Sequence, residues 1–133
     1  MAREAILIAD DDKAVVMLVS ELLRKNGFHV VPAYDSMQAM VGARQTKPRL
    51  VILDISMPGG SGMDVLKKLK TMSTTKQIPV LILTGNTDAK MKDLCMDLGA
   101  ADYLAKPVDL PALLAAINGA LGRPAAPPAP TTS

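Results

Sequence analysis

Three runs in this chain, Ile6–Ala9 (ILIA), Leu50–Leu53 (LVIL) and Val80–Leu83 (VLIL), are apolar at every position. A strand with one face in water alternates apolar and polar residues, so a continuously apolar run belongs to a strand covered on both sides. Helical stretches separate these runs, and strand and helix alternate five times along the sequence. That layout implies an α/β fold, a doubly wound parallel sheet with helices on both faces. The expected strands are Ala5–Ala9, His29–Val31, Leu50–Leu53, Val80–Leu83 and Asp102–Leu104, with the three apolar runs at the centre of the sheet.

Helix punctuation agrees with this reading. The first helix should end at Asn26-Gly27, the second start at Asp35 or Ser36, and the fourth run from Asp88 to Leu98 and stop at Gly99. The third is expected over Met63–Met72 and the fifth over Leu110–Leu121, with Pro111 in the first turn, where its missing N–H does no harm. After Gly122 the sequence becomes RPAAPPAPTTS, a Pro- and Ala-rich tract that cannot bury a core. Residues 1–122 are therefore expected to form one domain and 123–133 an extended tail or linker.

The 15 Lys and Arg nearly cancel the 13 Asp and Glu, so the chain lacks a polyelectrolyte signature. Its basic residues are scattered and not interleaved with aromatics, which argues against direct nucleic-acid binding. The apolar stretch after Glu4 is too short for a secretory signal or a membrane span. A single cysteine, Cys95, cannot form an internal disulfide and reads as a small core residue, so a reduced, cytoplasmic setting fits.

Ligands of open α/β sheets bind beyond the carboxyl ends of the strands. There the sequence places Asp10-Asp11-Asp12 after the first strand, Asp54 after the third, Thr84 at the end of the fourth and Lys106-Pro107 after the fifth. Two carboxylates ~4 Å apart at an effective dielectric of ~20 repel by about 4 kcal/mol, so such a cluster needs a cation. Mg²⁺ is suited, since it takes a few carboxylate oxygens and leaves positions for phosphate oxygens; Lys106 adds a second positive charge. An Asp in that setting can attack a phosphoryl group whose oxygens are held by the cations and by a hydroxyl such as Thr84.

Each element alone has a plainer reading. Asp10–Asp12 could be a solvated turn or a helix cap, Asp54 a loop residue, Thr84 a β-branched strand end and Lys106 a solvated charge. Their convergence on one sheet edge is what favours chemistry. His29 is the only histidine and has no metal-ligand companions, and the nine methionines read as core filling. The segment Met57–Gly62 (MPGGSG) lacks a P-loop lysine and reads as a tight loop beside Asp54.

The blocks ILIADDDKAV, LVILDISMPGGSG, VLILTG and GAADYLAKPV, in this order and separation, resemble those of bacterial two-component response-regulator receiver domains over about residues 4–121. The resemblance implies a flavodoxin-like five-stranded parallel sheet in the order 2-1-3-4-5. It implies that Asp54 accepts the phosphoryl group and that Asp10, Asp11, Asp54 and the Ser56 backbone carbonyl hold Mg²⁺. Thr84 would sense the phosphoryl group, Lys106 would pair with it, and Tyr103 would be the switch aromatic. Lys106-Pro107 resembles the family's cis peptide bond.

The implied partners are a histidine kinase or histidine phosphotransfer protein and a downstream protein or an output domain. A switching α4-β5-α5 surface would control that output, with catalysis limited to the receiver's own phosphorylation and dephosphorylation. The chain would be a stand-alone receiver or a fragment cut at its linker, and a monomer or a phosphorylation-dependent homodimer. Ala112 and Ala116 replace the Glu and Arg of the winged-helix branch's dimer salt bridges, and Val108 replaces a common aromatic. Ser56 and Asn86 flank the pocket and are expected to influence phosphoryl lifetime.

Two apolar stretches, Ala14–Val19 and Leu110–Ile117, exceed the single face a surface helix buries and are expected to meet a histidine-bearing partner or a second copy. Other functions fit less well. A phosphatase with an Asp nucleophile resembles D-x-D, and Ser56 stands at the second acidic position. A flavin module would find its phosphate repelled by Asp10–Asp12. A docking-only receiver would not need the full set of pocket residues.

Overall fold

The computed structural model describes residues 4–57 and 62–123. Strands and helices alternate through β1 (Ala5–Ala9), α1 (Lys13–Lys25), β2 (His29–Ala33), α2 (Ser36–Thr46), β3 (Leu50–Leu53), α3 (Gly62–Thr71), β4 (Val80–Thr84), α4 (Ala89–Asp97), β5 (Asp102–Ala105) and α5 (Leu110–Ala120). All neighbouring strands pair in parallel, in the order β2-β1-β3-β4-β5. This is the doubly wound arrangement expected, with β1, β3 and β4 inside and β2 and β5 at the edges.

The three apolar runs are explained by where alternate side chains go. Ile6, Ile8, Leu50, Ile52, Leu81 and Leu83 point to one face, where α1 and α5 cover them with Val16, Val19, Leu23, Leu113 and Ile117. Leu7, Ala9, Val51, Leu53, Val80 and Ile82 point to the other, under α2, α3 and α4. Leu53, Leu81 and Ile82 have no exposed surface, and full burial of such a side chain contributes about 1.5–3 kcal/mol.

Several boundaries differ from expectation by a residue or two. β2 runs on to Ala33 through Pro32, which pairs with Ile8. A proline fits here because β2 is an edge strand, where a missing N–H need not break a ladder. α4 begins at Ala89, with Asp88 as its cap and not its first residue. Gly27 and Gly99 take positive φ at the ends of α1 and α4, as their positions implied. Of the two stretches expected to be over-apolar, α1 leaves Met17 and Leu18 exposed, and α5 buries Leu113 and Ile117.

Arg123 folds back on the domain: its guanidinium pairs with Glu4 and lies 4.8 Å from the centre of the Phe28 ring. Most of the expected loop beside Asp54 and nearly all of the Pro-rich tail, residues 58–61 and 124–133, lie outside the described residues.

Candidate functional site

The parallel sheet places every βα loop at one edge, and four of the helices that start there are capped by aspartates. Asp12, Asp35, Asp88 and Asp109 each accept a backbone N–H in the first turn of α1, α2, α4 and α5. Asp12 is thereby committed to Ala14 N and Val15 N, at 3.0 and 3.4 Å. The run Asp10-Asp11-Asp12 divides its labour: the third residue caps a helix and the first two face the pocket.

Backbone ladders hold the key carboxylates. Asp10 N donates to Ala33 O and Asp54 N to Ala9 O, both at 2.9 Å, so each residue extends a strand by one hydrogen bond. Their side chains are pinned in turn: Asp12 N donates to Asp10 Oδ1 and Ser56 N to Asp54 Oδ1, again at 2.9 Å. Asp10 is 2% exposed and Asp54 4%, whereas Asp11 stands in solvent. One oxygen from each of Asp10, Asp11 and Asp54 lies within 4.8 Å of the other two.

Lys106 bridges the two buried carboxylates, its Nζ 2.8 Å from Asp10 Oδ2 and 2.9 Å from Asp54 Oδ2. Asp54 accepts a hydrogen bond from it; Asp10 Oδ2 is close enough for an ion pair, yet no donor among the described residues is aligned to hydrogen-bond it. Burial pushes the Asp10 carboxyl above its ordinary pKa; Lys106 and the Asp12 N–H pull it back, and the Asp54 charge adds to the rise. For Lys106, burial works against the charged form, but the two carboxylates outweigh it and hold the ammonium above its usual range. Three carboxylate oxygens this close, two of them from buried residues and sharing a single ammonium, are a hard-oxygen set that fits a small divalent cation.

The remaining predicted residues surround this cluster. Thr84 is fully buried at the end of β4; its Oγ1 accepts from Asn86 N at 3.3 Å, and its carbonyl accepts from Lys106 N at 2.8 Å. That second bond joins the ends of β4 and β5 and delivers Lys106 to the pocket. The Lys106-Pro107 peptide bond is cis. Tyr103 is turned into the core, and its OH donates to Asn86 O at 2.6 Å. Burial raises its phenol pKa, with Cys95, Asp88 and Asp54 adding to the shift.

Behind Asp54, Gly62 opens α3 with its backbone against the preceding chain. A Cβ there would lie 2.3 Å from Ile55 Cα and 2.8 Å from Asp54 O. No signal in the sequence distinguishes this glycine from its neighbours Gly59 and Gly60; only the close approach identifies it.

The sequence model of the response regulator receiver domain matches residues 6–118. The chain belongs to that family. As a receiver domain of two-component systems it acts as a signalling switch. It is 35% identical over 121 residues to the DNA-binding response regulator MtrA of Mycobacterium tuberculosis, an alignment covering 91% of this chain and 52% of that protein. With the phosphate regulon transcriptional regulatory protein PhoB of Escherichia coli the identity is 36% over 123 residues, covering 92% and 53%. The chain thus spans about half the length of the curated relatives it matches. A response regulator receiver domain protein from Clostridium thermocellum superimposes with a TM-score of 0.82 at 34% identity, covering 90% of this chain and 94% of that one. Among the described residues no helix is long and apolar enough to cross a membrane.

Proposed function

We propose that this receiver accepts a phosphoryl group on Asp54 from a phosphohistidine of a kinase or phosphotransfer protein and changes its α4-β5-α5 surface in response. The observation supporting this most directly is the meeting of Asp54, Asp10 and Lys106 within ion-pair distance at the carboxyl edge of the sheet.

In this reading an Asp54 carboxylate oxygen attacks phosphorus. The O–P bond forms as the P–N bond to the donor imidazole breaks, and the electron pair of that bond leaves with the imidazole. Asp10, Asp11, Asp54 and the Ser56 carbonyl would hold Mg²⁺, which supplies charge neutralisation for the phosphoryl oxygens. Lys106 exchanges its carboxylate partners for a phosphoryl oxygen without leaving the pocket. Thr84 turns to donate its hydroxyl to another such oxygen, and the movement of Oγ1 loosens the 3.3 Å bond it accepts from Asn86 N. Tyr103 is already bonded to the carbonyl of the same Asn86, so the change at Thr84 reaches β5 and α4 through one residue.

Residues 1–122 are assigned to the receiver and 123–133 to a Pro/Ala-rich tail or linker. The chain catalyses nothing beyond its own phosphorylation and dephosphorylation. It works in the cytoplasm, as a monomer or a phosphorylation-dependent dimer, on a protein partner or an attached output domain, without contacting nucleic acid itself. The exposed Met17 and Leu18 of α1 lie within two turns of the Asp12 cap and offer the phosphodonor an apolar contact beside the pocket.

The test is intact mass after incubation with acetyl phosphate. One phosphoryl group should be gained in Mg²⁺, none in EDTA and none in Asp54→Asn. A wild type that gains nothing would leave a docking module in place of a switch.

A further inference from the structure

The acidic pocket and its neighbours leave one exposed apolar stripe unused. On α2, Met37 is 75% exposed and Val41, one turn later, 45%. Residues four apart lie one above the other on a helix face, so the two form a continuous strip. The strip leads into a concavity of about 680 Å³ lined by Val41 and Met72, by Arg44 and Lys47, and by Ser73 and Thr74. These residues belong to the last turns of α2 and to the chain just beyond it and beyond α3, at the sheet edge opposite Asp54.

Charge singles this groove out. From Ser36 to Thr87 the basic residues are Arg44, Lys47, Arg49, Lys67, Lys68, Lys70 and Lys76, against two acids, Asp54 and Asp64. Asp54 is in the pocket and Asp64 is in the first turn of α3, away from the groove end of that helix. Arg49 is taken by Glu4, and Lys70 Nζ donates to Ile78 O. Arg44 and Lys47 make no ion pair among the described residues, and no acidic side chain lines the concavity. Arg44 offsets the negative end of the α2 dipole, which explains a cation there but not an apolar strip leading up to it.

We propose that this groove docks an acidic amphipathic helix from a partner protein, with apolar residues on Met37, Val41 and Met72 and carboxylates on Arg44 and Lys47. The concavity lies between the ends of α2 and α3 with an apolar strip leading into it, a surface that suits the apolar face of a helix laid in a groove. Methionines adapt to varied apolar partners. A single-stranded nucleic acid would want stacking aromatics, and the concavity has none. An added strand would need a free sheet edge, which α2 and the segment 72–74 do not present.

The probe is a stapled helical peptide of about four turns with Leu along one face and Glu on both flanks, titrated into labelled full-length protein and followed by amide NMR. Shifts should map to 37–47 and 72–74. Affinity should fall about tenfold or more for Arg44→Glu with Lys47→Glu, for Met37→Ala with Val41→Ala, and for a twin peptide with Lys replacing Glu. Phosphoryl uptake from acetyl phosphate should be unchanged in these variants, which separates the groove from the Asp54 chemistry. Shifts elsewhere, or binding indifferent to charge reversal, would overturn the proposal. So would tighter binding of phosphatidylglycerol vesicles or duplex DNA to the same residues, which would make the groove a polyanion surface.

Discussion

Asp10→Asn should make the metal-free domain more stable while impairing its chemistry. Removing the Asp10 charge forfeits its attraction to Lys106 at 2.8 Å, about 6 kcal/mol at an effective dielectric of ~20. It also removes repulsion from Asp54 within 4.8 Å, about 3.5 kcal/mol on the same scale, and about 1 kcal/mol from the solvent-exposed Asp11. These nearly cancel, so desolvation decides. Burying a carboxylate costs on the order of several kcal/mol, and Asp10 is 2% exposed. The sum favours the neutral side chain by about 1–2 kcal/mol, in the same direction as the raised Asp10 pKa. Asn keeps the oxygen that accepts from Asp12 N, so the loop need not move.

The assay is thermal unfolding in EDTA at neutral pH, where the variant should melt higher by about 4 °C per kcal/mol. The pH dependence has a defined sign. A folded-state pKa raised above 3.8 gives stability that is full below the unfolded pKa and is lost as pH rises through the folded one. The wild type should therefore recover its deficit on acidification, as protonated Asp10 comes to resemble Asn. Mg²⁺ should then stabilise the wild type more than the variant. A variant less stable than wild type at neutral pH in EDTA, or a gap that ignores pH, would refute the reasoning.

Gly62→Ala forces a Cβ to within 2.3 Å of Ile55 Cα, backbone that cannot step aside, and should cost about 1–3 kcal/mol or more in denaturant unfolding, with weakened phosphoryl uptake. Tyr103→Phe removes a 2.6 Å bond to Asn86 O and should lower stability by about 0.5–1.5 kcal/mol while raising hydrogen exchange in the segment 85–88. Thr84→Ala should still be phosphorylated from acetyl phosphate, but the amide shifts of Tyr103 and Asn86 should no longer respond to it. Equal responses in Thr84→Ala and wild type would remove Thr84 from the switch.

Much of this was legible because burial and direction leave marks in sequence. Continuous apolar runs announced the two-sided sheet, and parallel strands require that residues following them share an edge, so Asp10, Asp54, Thr84 and Lys106 could be gathered before any coordinate was known. What could not be read depends on distances between segments remote in sequence. The Tyr103 hydroxyl on the Asn86 carbonyl, the contact of Gly62 with Ile55 and the Arg123 clamp on Glu4 and Phe28 leave no periodic trace. β2 runs past the expected Val31 to Ala33 through Pro32, which only a place at the sheet edge makes tolerable.

The same topology explains why the site is both acidic and costly. Parallel strands followed by returning helices put the N-termini of the helices at the carboxyl edge, where positive dipole ends favour carboxylate caps. Asp12, Asp35, Asp88 and Asp109 are therefore acids that stabilise the fold. Asp10 and Asp54 differ from them: neither caps a helix, both are buried, and the counter-charge they share is Lys106, delivered from β5. One ammonium cannot neutralise two carboxylates with a third within 4.8 Å. The fold thus holds an excess of negative charge that a divalent cation would relieve, and it stations Thr84 and Lys106 at the ends of neighbouring strands joined by one hydrogen bond. Stability given up at Asp10 is what a bound cation would restore.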